Sequence, residues 1–204
     1  MIRRMGGTYH HGDLRAELVR VSLGLIAQRG VDGFSVAEVA RRAEVSPAAP
    51  YRHFPDRESL VAAVATEVAR QLADEVERAA GAHSDPVEAL AAAAGAYTGH
   101  LVRQRVGLDL LSAESLRGVR HAELHEQTRR LSDQFLQRTM AVAAPPDALQ
   151  LVEQLFTQAH GYGVFWLNGV FARHGYTPEL VVEKSARAAR TAVHGYRRTA
   201  DLEG

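Results

Sequence analysis

The chain has 204 residues, 46% of them hydrophobic, with 24 basic and 24 acidic side chains, enough for one large or two small domains with a buried core. It contains no cysteine, which excludes disulfides, thiolate metal sites and a cysteine nucleophile and fits a reducing compartment. The opening MIRRMGGTYHHGDLR has the positive charge of a signal peptide but no apolar stretch behind it, and no apolar run approaches the ~18 residues of a membrane span. A cytoplasmic protein with no membrane partner is expected.

Apolar residues recur at helical spacing almost throughout, and alternating β-branched runs bounded by turn pairs are absent, so the fold class read from the sequence is all-α. Leu14, Leu18, Val21 and Leu25 mark one face of a first helix that stops near Gly30. Ser35 followed by Glu38 reads as a capping box opening a helix of about two turns with Val36, Val39, Ala40 and Ala43 on one side. Ser46 can cap the next helix, expected over Pro47 to Phe54, with Pro47 at its first position and Pro50 tolerated only in a rigid, 3₁₀-like first turn.

Asp56 caps a long helix that ends at Gly81. Ser84-Asp85-Pro86 opens another through about Gln104, and a helix-rich stretch follows from Val106 to Leu116 with a break at Gly118. An amphipathic helix is expected over residues 120–143, a long apolar helix from Pro145 to about Arg173, and a last one from Pro178 to about Thr199. About nine helices result, divided into a domain of residues 1–60 and a second of residues 61–204.

The short helices after Ser35 and Ser46, joined by the tight turn AEVS, form a helix-turn-helix whose second element can enter a DNA major groove. Positive charge gathers there: residues 1–57 hold nine arginines against six acids, an excess that many solvated surfaces share. Pro50 with Ala48 and Ala49 makes a smooth apolar nose suited to a thymine methyl or sugar, Pro47 stands beside them among the expected DNA contacts, and Arg52, the lone long donor of this helix, suits a bidentate contact to guanine. Phe54 reads as core, Arg41 and Arg42 as a solvated face, and Arg3 and Arg4 as a segment disordered in the free protein.

The order Ser35-Val36, Glu38, Ala40, Ala43, Val45-Ser46, Tyr51, Phe54-Pro55, Glu58 and Leu60 resembles the signature of the TetR family of bacterial transcriptional regulators, over about residues 12–62. The start YHHGDLR is similar to one branch of that family. The resemblance implies phosphate contacts by Tyr51 and His53, phosphates at Ser35 and Ser46, and backbone charge from Arg57. Glu44 departs from the pattern by standing where a turn glycine at positive φ is usual, and Pro50 and Arg57 replace an aliphatic residue and a lysine.

The resemblance further implies a ligand-responsive regulator, of repressor type, that binds a palindromic double-stranded operator as a homodimer. Small residues Ser185, Ala186, Ala189, Ala192 and Val193 on the last helix, with Ala159 and Gly163 on the one before, are expected at the dimer interface. An effector pocket is expected among Tyr97, Leu101, Leu108, Leu111, Phe135, Met140, Phe156, Trp166 and Leu167, with His100 and His160 as sparse polar groups, coupled to DNA binding by the long helix from Asp56. Its effector is a small apolar molecule, and no cofactor is expected. A second reading stays open: an all-α enzyme or metal-binding protein using His100, His121, His125 and His160, of which His121 and His125 have the i, i+4 spacing of metal ligands. Glu114 or Glu126 could supply a third ligand, but HAELH has its acid in the wrong place for a zinc protease.

Overall fold

The computed structural model describes residues 11–106, 110, 116 and 121–203. Among the described residues there is no strand, and eight α-helices follow one another: α1 (His11–Arg29), α2 (Val36–Arg42), α3 (Arg57–Gly81), α4 (Pro86–Gln104), α5 (Ala122–Thr139), α6 (Asp147–Leu167), α7 (Val170–Arg173) and α8 (Pro178–Glu203). The fold is all-α, as the periodicity indicates. The chain forms two compact units, Met1–Glu67 and Val68–Gly204, so the division falls inside α3. Arg3 and Arg4, and most of the stretch expected to be helical from Val106 to Gly118, lie outside the described residues.

In the first unit, α1 buries Leu18, Val19, Val21, Leu25 and Ile26 and ends where Gly30 takes φ +73° and its N–H bonds Ile26 O at 2.8 Å. A Cβ on Gly33 would stand 2.6 Å from the Arg29 carbonyl, so this turn requires glycine. Helix α2 closes with a Schellman motif: Val45 N–H donates to Ala40 O (3.0 Å) and Glu44 N–H to Arg41 O (3.3 Å), with Glu44 at φ +55°. The positive φ expected at this turn is present, carried by a residue with a side chain. Asp56 caps α3 as expected, its Oδ1 accepting from Ser59 N–H at 2.7 Å.

The helix expected over Pro47 to Phe54 is not an α-helix. The segment is a turn followed by a 3₁₀ helix at Pro50–Arg52, because Pro50 has no N–H to reach back four residues. The bonds that form instead are mostly three-residue ones: Ala49 N–H to Ser46 O at 2.9 Å, Arg52 N–H to Ala49 O at 3.2 Å and His53 N–H to Pro50 O at 3.0 Å.

The second unit is built around Leu72, Val76, Leu90, Tyr97, Leu101, Phe135, Leu151, Leu155 and Val193. Small residues on α4 admit α8 closely: a Cβ on Gly95 would lie 3.4 Å from Ala186 Cβ and 3.6 Å from Val182 Cγ1. Thr98 Oγ1 donates to the Ala159 carbonyl at 2.9 Å and shares a 2.7 Å hydroxyl–hydroxyl bond with Ser185, tying α4, α6 and α8 together. The apolar helix expected to reach Arg173 stops at Leu167. Gly169 at φ +72° turns the chain, and the four-residue α7 follows.

Candidate nucleic-acid interface

After α2 the chain presents Ser46, Pro47, Ala48, Tyr51 and Arg52 to solvent, with Ala49 and His53 half-buried. Tyr51 keeps 54% of its surface exposed while Phe54 keeps 4%, so the two aromatics of this segment face opposite ways. The Phe54 ring is the anchor, packed under the Arg15 guanidinium at 5.3 Å. Arg52 has no hydrogen-bond or ion-pair partner among the described residues. An exposed phenol beside an unpaired guanidinium, flanked by two alanines, can contact phosphate and base edges together.

Three expectations at this site are corrected. Pro50 is buried and does not belong to an exposed apolar nose: having lost its backbone bond, it packs inward and leaves Pro47 and Ala48 outside, with Ala49 half-buried. Arg57 is committed to the protein. Its Nε donates to Phe34 O at 3.4 Å, its Nη2 to Val31 O, and its guanidinium lies 5.5 Å from the Phe34 ring centre, clamping the turn before α2. Ser35 is the N-cap of α2 in extended geometry, but its side chain makes no capping bond. Glu38 cannot complete the capping box because Arg41 holds it through two 2.8 Å bonds and Arg42 through a third at 3.1 Å. These guanidinium bonds, Arg41 first, bring the Glu38 carboxyl down to about 2. Arg41 and Arg42 thus form the solvated face expected of them, and Ser35 keeps an exposed hydroxyl.

Residues 18–64, which hold the greater part of α1, all of α2 and the 3₁₀ segment, and the start of α3, match the model of the bacterial regulatory proteins of the tetR family. Over this segment the chain matches the TetR family. It is 28% identical over 163 residues to the HTH-type transcriptional regulator BetI of Brucella anthropi, a match covering 78% of this chain and 80% of that one. A solved structure of a Rhodococcus sp. RHA1 protein, also 28% identical, superposes with a TM-score of 0.79 over 94% of this chain and all of the other. The fold is shared at lower identity, 15%, with the regulator FadR of Bacillus subtilis solved with stearoyl-CoA, at a TM-score of 0.69 over 88% and 98% of the two chains.

In the second unit the residues expected to line an effector pocket form an aromatic core instead. Tyr97, His100, Leu101 and Phe135 are buried. Phe156 meets Phe135 at 4.5 Å and Tyr97 edge-on at 5.7 Å, and His160 stands 6.5 Å from Tyr97. Trp166 is half-buried, Met140 is 55% exposed at the end of α5, and Leu108, Leu111 and Glu114 lie outside the described residues. Burial pushes the Tyr97 phenol up and the His100 imidazole down. His100 Nδ1 sits 3.3 Å from Glu75 Oε1, and neither imidazole nitrogen makes a directed hydrogen bond. His121 and His125 begin α5, and among the described residues no three acidic or histidine side chains gather as a metal site. No described helix is long and apolar enough to cross a membrane.

The stripe expected to bind a second subunit is spent within the chain. Ala159, Gly163, Ser185, Ala189, Ala192 and Val193 are all buried in the single chain, and half-buried Ala186 faces Gly95. Their small size admits α4, which brings its own alanines and glycines. The sequence reading missed what α6 and α8 leave open: a groove of about 790 Å³ lined by Gln150, Gln154, Gln158, Arg187, Ala188 and Thr191. It missed also a smaller aromatic cavity toward the end of α6. Polar residues one helical face away from the small stripe carry that signal, though they read as ordinary solvated positions.

Proposed function

We propose that this regulator is a repressor that binds a palindromic operator as a homodimer through the 46–53 segment and is released by a small apolar effector held in the second unit. The observation that carries the proposal is the exposed, unpaired Arg52 beside Tyr51. Fluorescence anisotropy on the DNA upstream of its own gene tests it. Arg52→Ala is expected to lose about 1–3 kcal/mol of operator affinity and to relax preference at one base pair, whereas Tyr51→Phe weakens all sequences alike. An Arg52→Ala protein with unchanged affinity and preference overturns the assignment.

The dimer is assigned to the outward faces of α6 and α8 along the 790 Å³ groove, where half-buried Ala188 lies between exposed Arg187 and the 191 position. For the effector, apolar aromatic and lipid-like compounds are the class to screen, in keeping with the Tyr97–Phe156 cluster and with the acyl ligand of the FadR structure. Entry there requires those rings to part, so a hit should lose affinity in Phe156→Ala and His160→Leu. By linkage, the effector weakens operator binding by the same factor as operator weakens effector binding, which a titration of the hit against the protein–operator complex measures.

A further inference from the structure

The groove between α6 and α8 carries an open charge of each sign, well separated along its length. Of the residues that line it, Asp147, Lys184 and Arg187 are charged, and Arg187 is already bound by Glu183 of its own chain. Asp147, in the first turn of α6, has no hydrogen-bond or ion-pair partner among the described residues. Lys184 has no carboxylate partner among them either, and its Nζ lies 5.1 Å from the Tyr176 ring centre. Both are half-buried. Within one chain they cannot meet: Thr98 Oγ1 bonds both Ala159 and Ser185, which sets Lys184 level with that part of α6, and Asp147 precedes Ala159 by twelve residues, about 18 Å of helix. Between the two charges stand the amides of Gln150, Gln154 and Gln158. An amide donates and accepts at once and so can pair with its own copy, and Gln158 Oε1 is closed off from solvent without a partner in the single chain.

A two-fold interface joins the same patch of both subunits, and charge chooses between the two ways of doing so. With the axis along the groove, both Asp147 side chains gather at one level and both Lys184 side chains at another, and like charges repel. With the axis across the groove near Gln154, Asp147 of each subunit shares a level with the partner's Lys184, and opposite charges attract. We propose that two copies of this chain associate in the second way, α6 running antiparallel to α6 of the partner subunit, and that the two reciprocal Asp147–Lys184 pairs set the register and favour partners with the same order of charges. This rests on the assignment of the dimer to the α6–α8 groove, and it gives that surface a means of selecting its own copy.

Subunit exchange between the full-length parent and a variant carrying both Asp147→Lys and Lys184→Asp, followed by native mass spectrometry, tests the register. Each homodimer keeps two attractive pairs whereas the mixed dimer has two repulsive ones, so mixed dimers are expected to fall from the roughly one half of random pairing to about one quarter or less. An axis along the groove instead raises them above one half, and absence of contact leaves them at one half; either result overturns the proposal. Asp147→Asn, which removes charge with little change of shape, gives a second measurement should the double variant not fold. Its dimer Kd in sedimentation is expected to rise about threefold or more, and an unchanged or lower Kd overturns the register. A parent that sediments as a monomer, or as a dimer indifferent to Ala188→Glu, removes the groove assignment and the register together. A dimer that Ala188→Glu dissociates but whose subunits mix at random loses the register alone.

Discussion

Glu44 holds an αL backbone that favours glycine, at φ +55°, and its two Schellman bonds keep it there at a cost of about 1 kcal/mol. Glu44→Gly is therefore expected to raise the stability of the first unit by roughly that amount, read by chemical denaturation. His100 makes an opposite kind of residue-scale prediction. Burial keeps its imidazole neutral in the folded protein, below its ordinary 6.5, with the Glu75 carboxylate opposing and Arg103, bonded to Glu75, adding to the effect. Below that pH the unfolded chain takes up a proton that the folded chain refuses, so stability falls as pH drops through about 6.5, by at most ~1.4 kcal/mol per pH unit. Thermal melts of His100→Leu against the parent should show the difference narrowing or reversing toward about pH 5.5, while a parallel pair of pH profiles would remove His100 from the titration.

At the scale of helices, two glycines two positions apart on α6 separate packing from propensity. A Cβ on Gly163 would meet Leu101 Cδ1 at 2.7 Å and Leu101 Cβ at 3.1 Å, whereas one on Gly161 meets nothing within 4 Å. Gly163→Ala is expected to destabilise by about 1–3 kcal/mol and Gly161→Ala to stabilise by about 0.5–1 kcal/mol; equal melting shifts would refute this account of the α4–α6 contact. Helix limits were legible wherever one residue acts alone. Gly30 can take positive φ, Asp56 reaches the N–H of Ser59, and Asp85 accepts from Val87 N–H at 3.3 Å ahead of Pro86. They were not legible where the outcome depends on neighbours: Pro50 abolishes a whole helix, and the break at Gly169 interrupts a pattern whose apolar spacing continues into Val170 and Phe171.

The whole molecule shows the same division. The all-α class and the helix-turn-helix were readable because hydrophobic period and turn chemistry are local. The partner of the small-residue stripe on α8 was not, because such a stripe states only that something approaches closely, and α4 is the element that does. Ala189, at 1% exposure, is thus a core position, and an arginine there would unfold the second unit and report nothing about association. Ala188→Glu, one residue earlier and facing the groove, is the variant expected to shift sedimentation from dimer to monomer with the melting temperature preserved; a dimer unaffected by it would move the interface away from α6 and α8. Arg57 carries a last consequence. Its guanidinium serves two carbonyls and the Phe34 ring, so it releases no counterion when the protein lands on a duplex. Under the proposed DNA binding, each chain engages one phosphate fewer than its arginines suggest, and the dependence of log affinity on log salt concentration is shallower by about 0.9 per chain. Arg57→Gln should accordingly lower the melting temperature while leaving that slope as it was.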